Sequence, residues 1–254
     1  MSTRLEAIFF DLDDTLFSTS TFAARARRAA CEAMTKVGLD MPVEELLAEL
    51  DEVVAEFSSN YDHHFDQLLR RIPRRHYKSV NTGIIVAAGI IAYHETKARE
   101  LAPYPDADEL LVALRETDLI RGVITSGLTA KQAEKILRLG IYDHFSPKAL
   151  FISDQIGINK PNVKLYKRAC SDLNLKPSHC MYIGDRADRD IDPPNSIGMI
   201  TVHMVRDGKY AGVKGQTEPT HRVSSFRKLA DILHAEYGIP LSLPGDAEDA
   251  ISRR

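Results

Sequence analysis

The chain has 254 residues, enough for one large core or two smaller ones, and its acidic and basic residues nearly balance at a formal net charge of -3. That balance gives no global field for nucleic acid or for an anionic membrane, so any binding of an anion must be local. Cys31, Cys170 and Cys180 sit inside apolar patterns without CxxC or metal-ligand spacing, which predicts buried reduced thiols.

The first element is the apolar run Ala7-Ile8-Phe9-Phe10, too short for a helix and bounded by acidic residues, which predicts a buried parallel strand. It begins so close to Met1 that no signal peptide fits, and a cytoplasmic protein is expected. Asp11-Leu12-Asp13-Asp14-Thr15 follows at once. Its carboxylates therefore emerge at the carboxyl end of the strand, the edge where ligands bind in open α/β sheets.

From Phe17 to about Ala102 the pattern is helical. An alanine-rich stripe runs from Phe22 to Val37 and stops at Gly38. Behind Pro42, the residues Val43, Leu46, Leu47, Leu50, Val53, Val54 and Phe57 recur at three- and four-residue spacing. A third helix, Ile84 to Leu101, is stopped by Pro103-Tyr104-Pro105. Its apolar stretch, Gly83 to Tyr93, is well short of the roughly 20 residues that span a bilayer, so no membrane partner is expected. The basic segment Arg70 to Lys78 reads as a solvated helix end and turn, and His63 and His64 beside Asp62, lacking a third ligand, as a solvated helix face.

From Asp106 helices alternate with short β-branched runs: helix 106-117, strand 121-125, helix 129-139, strand 149-152, helix 162-173, strand 180-183, helix 193-198 and strand 199-204. This alternation predicts βαβ units and a parallel sheet, hence an α/β fold with a helical insertion after the first strand. Thr129 and Gln132 have capping-box spacing, and Gly140 suits the left-handed position that ends a helix. The tail from Pro240 to Arg254 has little apolar content and is expected to be flexible.

The chemistry gathers at predicted strand ends. Two aspartates two apart in one loop can divide labour: Asp11 attacks phosphorus to form an aspartyl-phosphate, and Asp13 protonates the leaving oxygen and then activates water. An anion attacking an anionic phosphoryl group needs nearby positive charge, which Mg²⁺ with hard oxygen ligands supplies. Asp11, the backbone carbonyl of Asp13 and Asp185 are expected to hold the metal, with Asp190 behind them or acting through water. Lys160 adds a fixed cation near the nucleophile and the phosphate, and Thr125, Ser126 and Gly127 near a helix start receive the phosphate oxygens.

Each of these signals alone is common as a turn, a helix cap or a solvated charge. Their order behind successive strands is what resembles the haloacid dehalogenase-like hydrolase superfamily. Asp11-Leu12-Asp13-Asp14-Thr15 is similar to its first motif, Thr125 to its second, Lys160 to its third, and Gly184-Asp185 through Asp190 to its fourth.

The resemblance covers the chain to about residue 237. It implies a Rossmann-like core over 1-16 and 104-239, a helical cap over 17-103 of the family's first type, an aspartyl-phosphate mechanism and Mg²⁺. Only about 35 residues separate Thr125 from Lys160, too few for a large cap there. Dehalogenases of the superfamily lack an acid at the place of Asp13, so the resemblance implies a phosphatase acting on a small phosphate ester. The stretches Ala92 to Lys97, Pro103-Tyr104-Pro105 and Val123 to Gly127 further resemble an archaeal-type branch of small-metabolite phosphatases. The alternatives are a 2-haloacid dehalogenase-type hydrolase and a non-catalytic phosphometabolite-binding module. A monomer and a homodimer are both compatible with the alanine-rich helices. Asp192-Pro193-Pro194 departs from the family's small residues after the fourth motif and predicts an altered helix start, with Asp192 as its cap.

Overall fold

The computed structural model describes residues 4-206 and 210-243, and most of the expected tail, 244-254, lies outside the described residues. Six parallel strands, β1 (Ala7–Phe10), β2 (Ile120–Thr125), β3 (Leu150–Ile152), β4 (Cys180–Gly184), β5 (Ile200–Met204) and β6 (His221–Val223), form one sheet in the order β3-β2-β1-β4-β5-β6. β1 is central and wholly buried, which explains its unbroken apolar run: both faces of a middle strand in a parallel sheet must be covered. The fold is thus the α/β, Rossmann-like one that the sequence predicts.

Register places the site. Phe10 pairs with Val123 of β2 and with Ile183 of β4. Asp11, Thr125 and Asp185 accordingly leave the sheet at one edge, although they lie far apart in sequence. On one face Phe9, Leu165, Tyr166 and Tyr182 share a buried cluster. Elsewhere in the core Phe10 meets the rings of Phe145 and Phe226 at centroid distances of 6.3 and 6.1 Å. Each such buried aromatic contributes about 1.5–3 kcal/mol relative to an exposed one.

The chain forms two compact units, one of residues up to Ser18 and from Ala102 onward, the other of Thr19–Leu101. In the sheet unit the two crossings are tied by a hydrogen bond from the Tyr104 N–H to the Leu16 carbonyl at 2.8 Å. The helical unit packs α1 (Thr19–Lys36), α2 (Val43–Phe57), α3 (His64–Arg71) and α4 (Thr82–Glu100) around Cys31, Met34, Leu46, Leu50, Leu68 and Ile85. Pro42 precedes α2 as predicted, its fixed φ suiting a helix entry. The basic segment is more structured than a solvated turn: Ile72 and Tyr77 are buried, and the Tyr77 hydroxyl donates to the Leu69 carbonyl at 3.0 Å. Arg71 is paired with Glu52 and Glu56.

The remaining helices are α5 (Pro105–Leu114), α6 (Thr129–Arg138), α7 (Ser153–Ile156), α8 (Val163–Asp172), α9 (Asp192–Asn195) and α10 (Phe226–Tyr237). Gly140 follows α6 at φ +70°, as expected of a left-handed stop. Three local expectations fail. Thr129 and Gln132 form no capping box: the Thr129 hydroxyl donates to Asp154 at 2.7 Å, and Gln132 reaches into the site. Instead of a helix over 193-198, a π-helical turn, Ala187–Ile191, runs into the short α9. Asp192 does not cap it, because its carboxylate accepts from the amides of Gln216 and Thr217 at 2.8–2.9 Å. The three cysteines are buried and free. Among the described residues no helix is long and apolar enough to cross a membrane.

Candidate active site

Asp11 is the first residue beyond β1, and its amide donates to the Ile183 carbonyl of β4 at 2.8 Å. The Lys160 ammonium, 3 % exposed, lies 2.8 Å from Asp11 Oδ1. It also stands 2.8 Å from Asp190 Oδ1 and 2.6 Å from the Tyr182 hydroxyl. An ammonium has three hydrogens, so these three acceptors saturate it. The Tyr182 hydroxyl in turn donates a hydrogen bond to the Ile124 carbonyl at 2.9 Å. The other Asp190 oxygen accepts the Arg186 amide at 3.0 Å. This close approach requires glycine at 184, where a Cβ would lie 2.4 Å from the Asp190 Cβ.

Asp185 completes an acidic group: Asp11, Asp185 and Asp190 each offer an oxygen, all within 4.8 Å of one another. Burial pushes Asp11 up to about 6 against the pull of Lys160. Burial, reinforced by Asp11, Asp190 and Asp14, pushes Asp185 up to about 8. For Lys160 burial disfavours the charge, but Asp11 and Asp190 outweigh it and hold the ammonium above the ordinary lysine range. Burial likewise raises Tyr166 and Tyr182, keeping both phenols neutral. One lysine thus pairs with two of the three carboxylates, and the set is short of positive charge.

A second cluster surrounds Asp13. Lys135 Nζ donates to Asp13 Oδ1 at 2.6 Å and to Oδ2 at 2.8 Å. The Gln132 amide nitrogen lies 3.0 Å from Asp13 Oδ2, 2.9 Å from the Thr125 hydroxyl oxygen and 2.7 Å from the Ser126 carbonyl. Thr125 is buried, and because an amide nitrogen does not accept, its hydroxyl hydrogen is left to donate elsewhere. The Ser126 hydroxyl is buried without a partner among the described residues, the condition of a group shaped for a ligand oxygen. The Gly127 amide is committed to the Ser153 hydroxyl at 3.0 Å. At φ +147° Gly127 also leaves room for Gln132, whose side chain a Cβ would meet at 3.1 Å.

The structure therefore brings Asp11, Lys160, Asp185 and Asp190 into one cluster and Asp13, Thr125 and Ser126 into its neighbour, with the Gly127 amide turned to Ser153. Sequence reasoning missed Gln132, Lys135, Tyr166 and Tyr182. Gln132 and Lys135 are three apart on one helix, a spacing that places two polar side chains on the same face and could have suggested a shared partner.

A haloacid dehalogenase-like hydrolase family model matches residues 5–198, and the chain belongs to that family. Over 234 residues it is 43% identical to the glyceraldehyde 3-phosphate phosphatase of Methanopyrus kandleri, covering 90% of this chain and 97% of that protein. It is 37% identical to the glyceraldehyde 3-phosphate phosphatase of Methanocaldococcus jannaschii, again over 90% of this chain and 97% of the relative. Among solved structures, the HAD-hydrolase YfnB from Bacillus subtilis, bound to magnesium, shares the fold at a TM-score of 0.64 and 20% identity, covering 91% of this chain and 99% of that one. Within the family the chain is a phosphatase, of the archaeal small-metabolite branch.

Proposed function

We propose that the protein is a Mg²⁺-dependent phosphatase that removes phosphate from a small phosphorylated metabolite through an aspartyl-phosphate on Asp11. The observation that carries this reading is the pairing of Asp11 with Lys160 at 2.8 Å, with Asp13 two residues on at the same strand edge. Lys160 fixes the attacking oxygen and lowers the repulsion between two anions. The names of the relatives favour a substrate of triose phosphate size.

The donor set fits magnesium. Asp11 and Asp185 offer hard oxygens in a cluster that carries more negative than positive charge; with the Asp13 backbone carbonyl they would hold the ion, and Asp190, already engaged by Lys160 and the Arg186 amide, would act behind them or through water. When bound, the ion would neutralise charge on the phosphoryl oxygens.

In the first half-reaction an Asp11 oxygen bonds to phosphorus as the ester P–O bond breaks, and the Asp13 carboxyl gives its proton to the leaving oxygen. In the second, the Asp13 carboxylate takes a proton from water as the water oxygen bonds to phosphorus. The bond from phosphorus to Asp11 then breaks, releasing inorganic phosphate and regenerating both groups. The Thr125 hydroxyl and Ser126 hold the non-reacting phosphoryl oxygens, with Lys160 and the Gly127 turn beside them. The helical insertion, residues 17-103, is proposed as the cap that selects the ester, and 1-16 with 104-239 as the catalytic core.

Phosphate release from triose phosphates, sugar phosphates, phosphoglycolate, nucleotides and p-nitrophenyl phosphate, with Mg²⁺ or with EDTA, tests this. Metal-dependent release ranked toward the smallest esters is expected; metal-independent release, or none from any ester by folded protein, contradicts it.

A further inference from the structure

We infer that Lys135 and Gln132 of α6 are positioning residues for Asp13, a clamp that aims one of its two oxygens at the ester. The inference rests on the phosphatase reading above and adds two residues to it. An exposed ion pair would carry little meaning, since such pairs contribute about 0–1 kcal/mol and hold no fixed geometry. This one differs. Lys135 engages both Asp13 oxygens at 2.6 and 2.8 Å across 122 residues of sequence, with both side chains mostly covered. Its ammonium also lies 5.9 Å from the centroid of the buried Phe17 ring, which limits where else it can go.

Gln132 is 1 % exposed and makes the clamp asymmetric. Its amide nitrogen faces the Asp13 carboxylate and the Ser126 carbonyl, two groups that only accept, so the orientation of the amide is set. A carboxylate offers about four acceptor directions. Lys135 takes one on each oxygen and Gln132 a second on Oδ2, leaving the open direction on Oδ1. Through the same nitrogen Gln132 touches the Thr125 hydroxyl at 2.9 Å, so one side chain registers the proton-transfer group against the phosphate-binding group. Misplacing such a group by about 1 Å costs about 10²-fold in rate.

The test is pre-steady-state kinetics with p-nitrophenyl phosphate on the parent, Lys135→Met, Lys135→Arg, Asp13→Asn and the Lys135→Met/Asp13→Asn double variant, with folding checked by circular dichroism and Lys135→Gln as a second probe. Nitrophenolate leaves without a proton, so the first half-reaction is spared while water activation slows. Lys135→Met is therefore expected to show a nitrophenol burst equal to the enzyme present. Its kcat falls about 10- to 100-fold while KM changes less than about threefold.

Lys135→Arg, which keeps a two-pronged donor, recovers most of the rate. In the Asp13→Asn background Lys135→Met costs nothing further, because the two act as one unit. Additive losses, or an Lys135→Met enzyme with parental turnover beside an inactive Asp13→Asn, would overturn the clamp and leave the phosphatase reading standing. Parental turnover in Asp13→Asn would overturn both.

Discussion

Lys160 and Asp190 meet at 2.8 Å with side chains only 3 % and 1 % exposed. The same lysine reaches Asp11 at 2.8 Å, so one buried cation holds the proposed nucleophile and an acid from the fourth motif in a fixed relation. Substituting Lys160→Met leaves those carboxylates buried and unpaired. The expected loss is about 3–5 kcal/mol of stability at neutral pH, together with loss of turnover. Urea unfolding with and without Mg²⁺ checks it: excess metal narrows the deficit, and a variant as stable as the parent contradicts the charge accounting.

Gly184 is required by contact, since a Cβ there would lie 2.4 Å from Asp190 Cβ and 2.6 Å from its Oδ2. Gly184→Ala is expected to push Asp190 off Lys160 and the Arg186 amide, costing about 1–3 kcal/mol and most of the activity. A control at Gly198, where nothing lies within 4 Å but φ is +80°, should lose stability without the same loss of turnover per folded molecule. Thermal melts and phosphate release on the pair separate packing from chemistry.

Asp185 accepts no lysine in the described structure and stands in the acidic group with Asp11 and Asp190. Asp185→Asn is expected to keep the fold and raise the Mg²⁺ concentration that supports half-maximal turnover by about 10-fold or more. Magnesium titration of activity checks this. Unchanged metal dependence would remove Asp185 from the ligand set.

His144 gives a pH dependence away from the site. Burial holds its pKa below the ordinary 6.5, outweighing Asp108, and its Nδ1 is buried without a partner among the described residues. The folded state therefore keeps this ring neutral where the unfolded chain has begun to bind a proton. Its contribution is full above the unfolded pKa of 6.5 and is lost as pH falls from there toward the lower folded value. Urea midpoints taken on the two sides of that window should fall less for His144→Asn than for the parent, relative to each protein's value at neutral pH. Parallel curves contradict it.

What the sequence revealed follows the range of the interactions. The run Ala7 to Phe10, with carboxylates straight after it, could be read because a central parallel strand is apolar on both faces. Asp11, Lys160, Asp185 and Asp190 could be placed together because each follows a strand or a turn at the same sheet edge. β6 was missed: His221–Val223 is three residues long with one buried side chain, too short to show a period. Thr129, three residues before Gln132, gives the spacing of a capping box. The real partner of Gln132, Asp13, lies 119 residues away, and although the spacing to Lys135 hints at a shared partner it does not say which residue that is. Asp192 misled in the same way, its carboxylate being taken by the 216–217 backbone instead of its own helix. Tyr182 lies within a strand, and only the fold shows its hydroxyl against Lys160.

The most direct test of the account is to trap the phosphoenzyme. Parent and Asp11→Asn proteins are mixed with a small phosphate ester and Mg²⁺, quenched in acid, and the peptide containing residues 5–16 is weighed by mass spectrometry. The account predicts one acid-stable, hydroxylamine-labile phosphoryl group on Asp11 of the parent, with neither the adduct nor turnover in Asp11→Asn. Continued phosphate release by purified Asp11→Asn, or a phosphoryl group on a different residue of the parent, would contradict it.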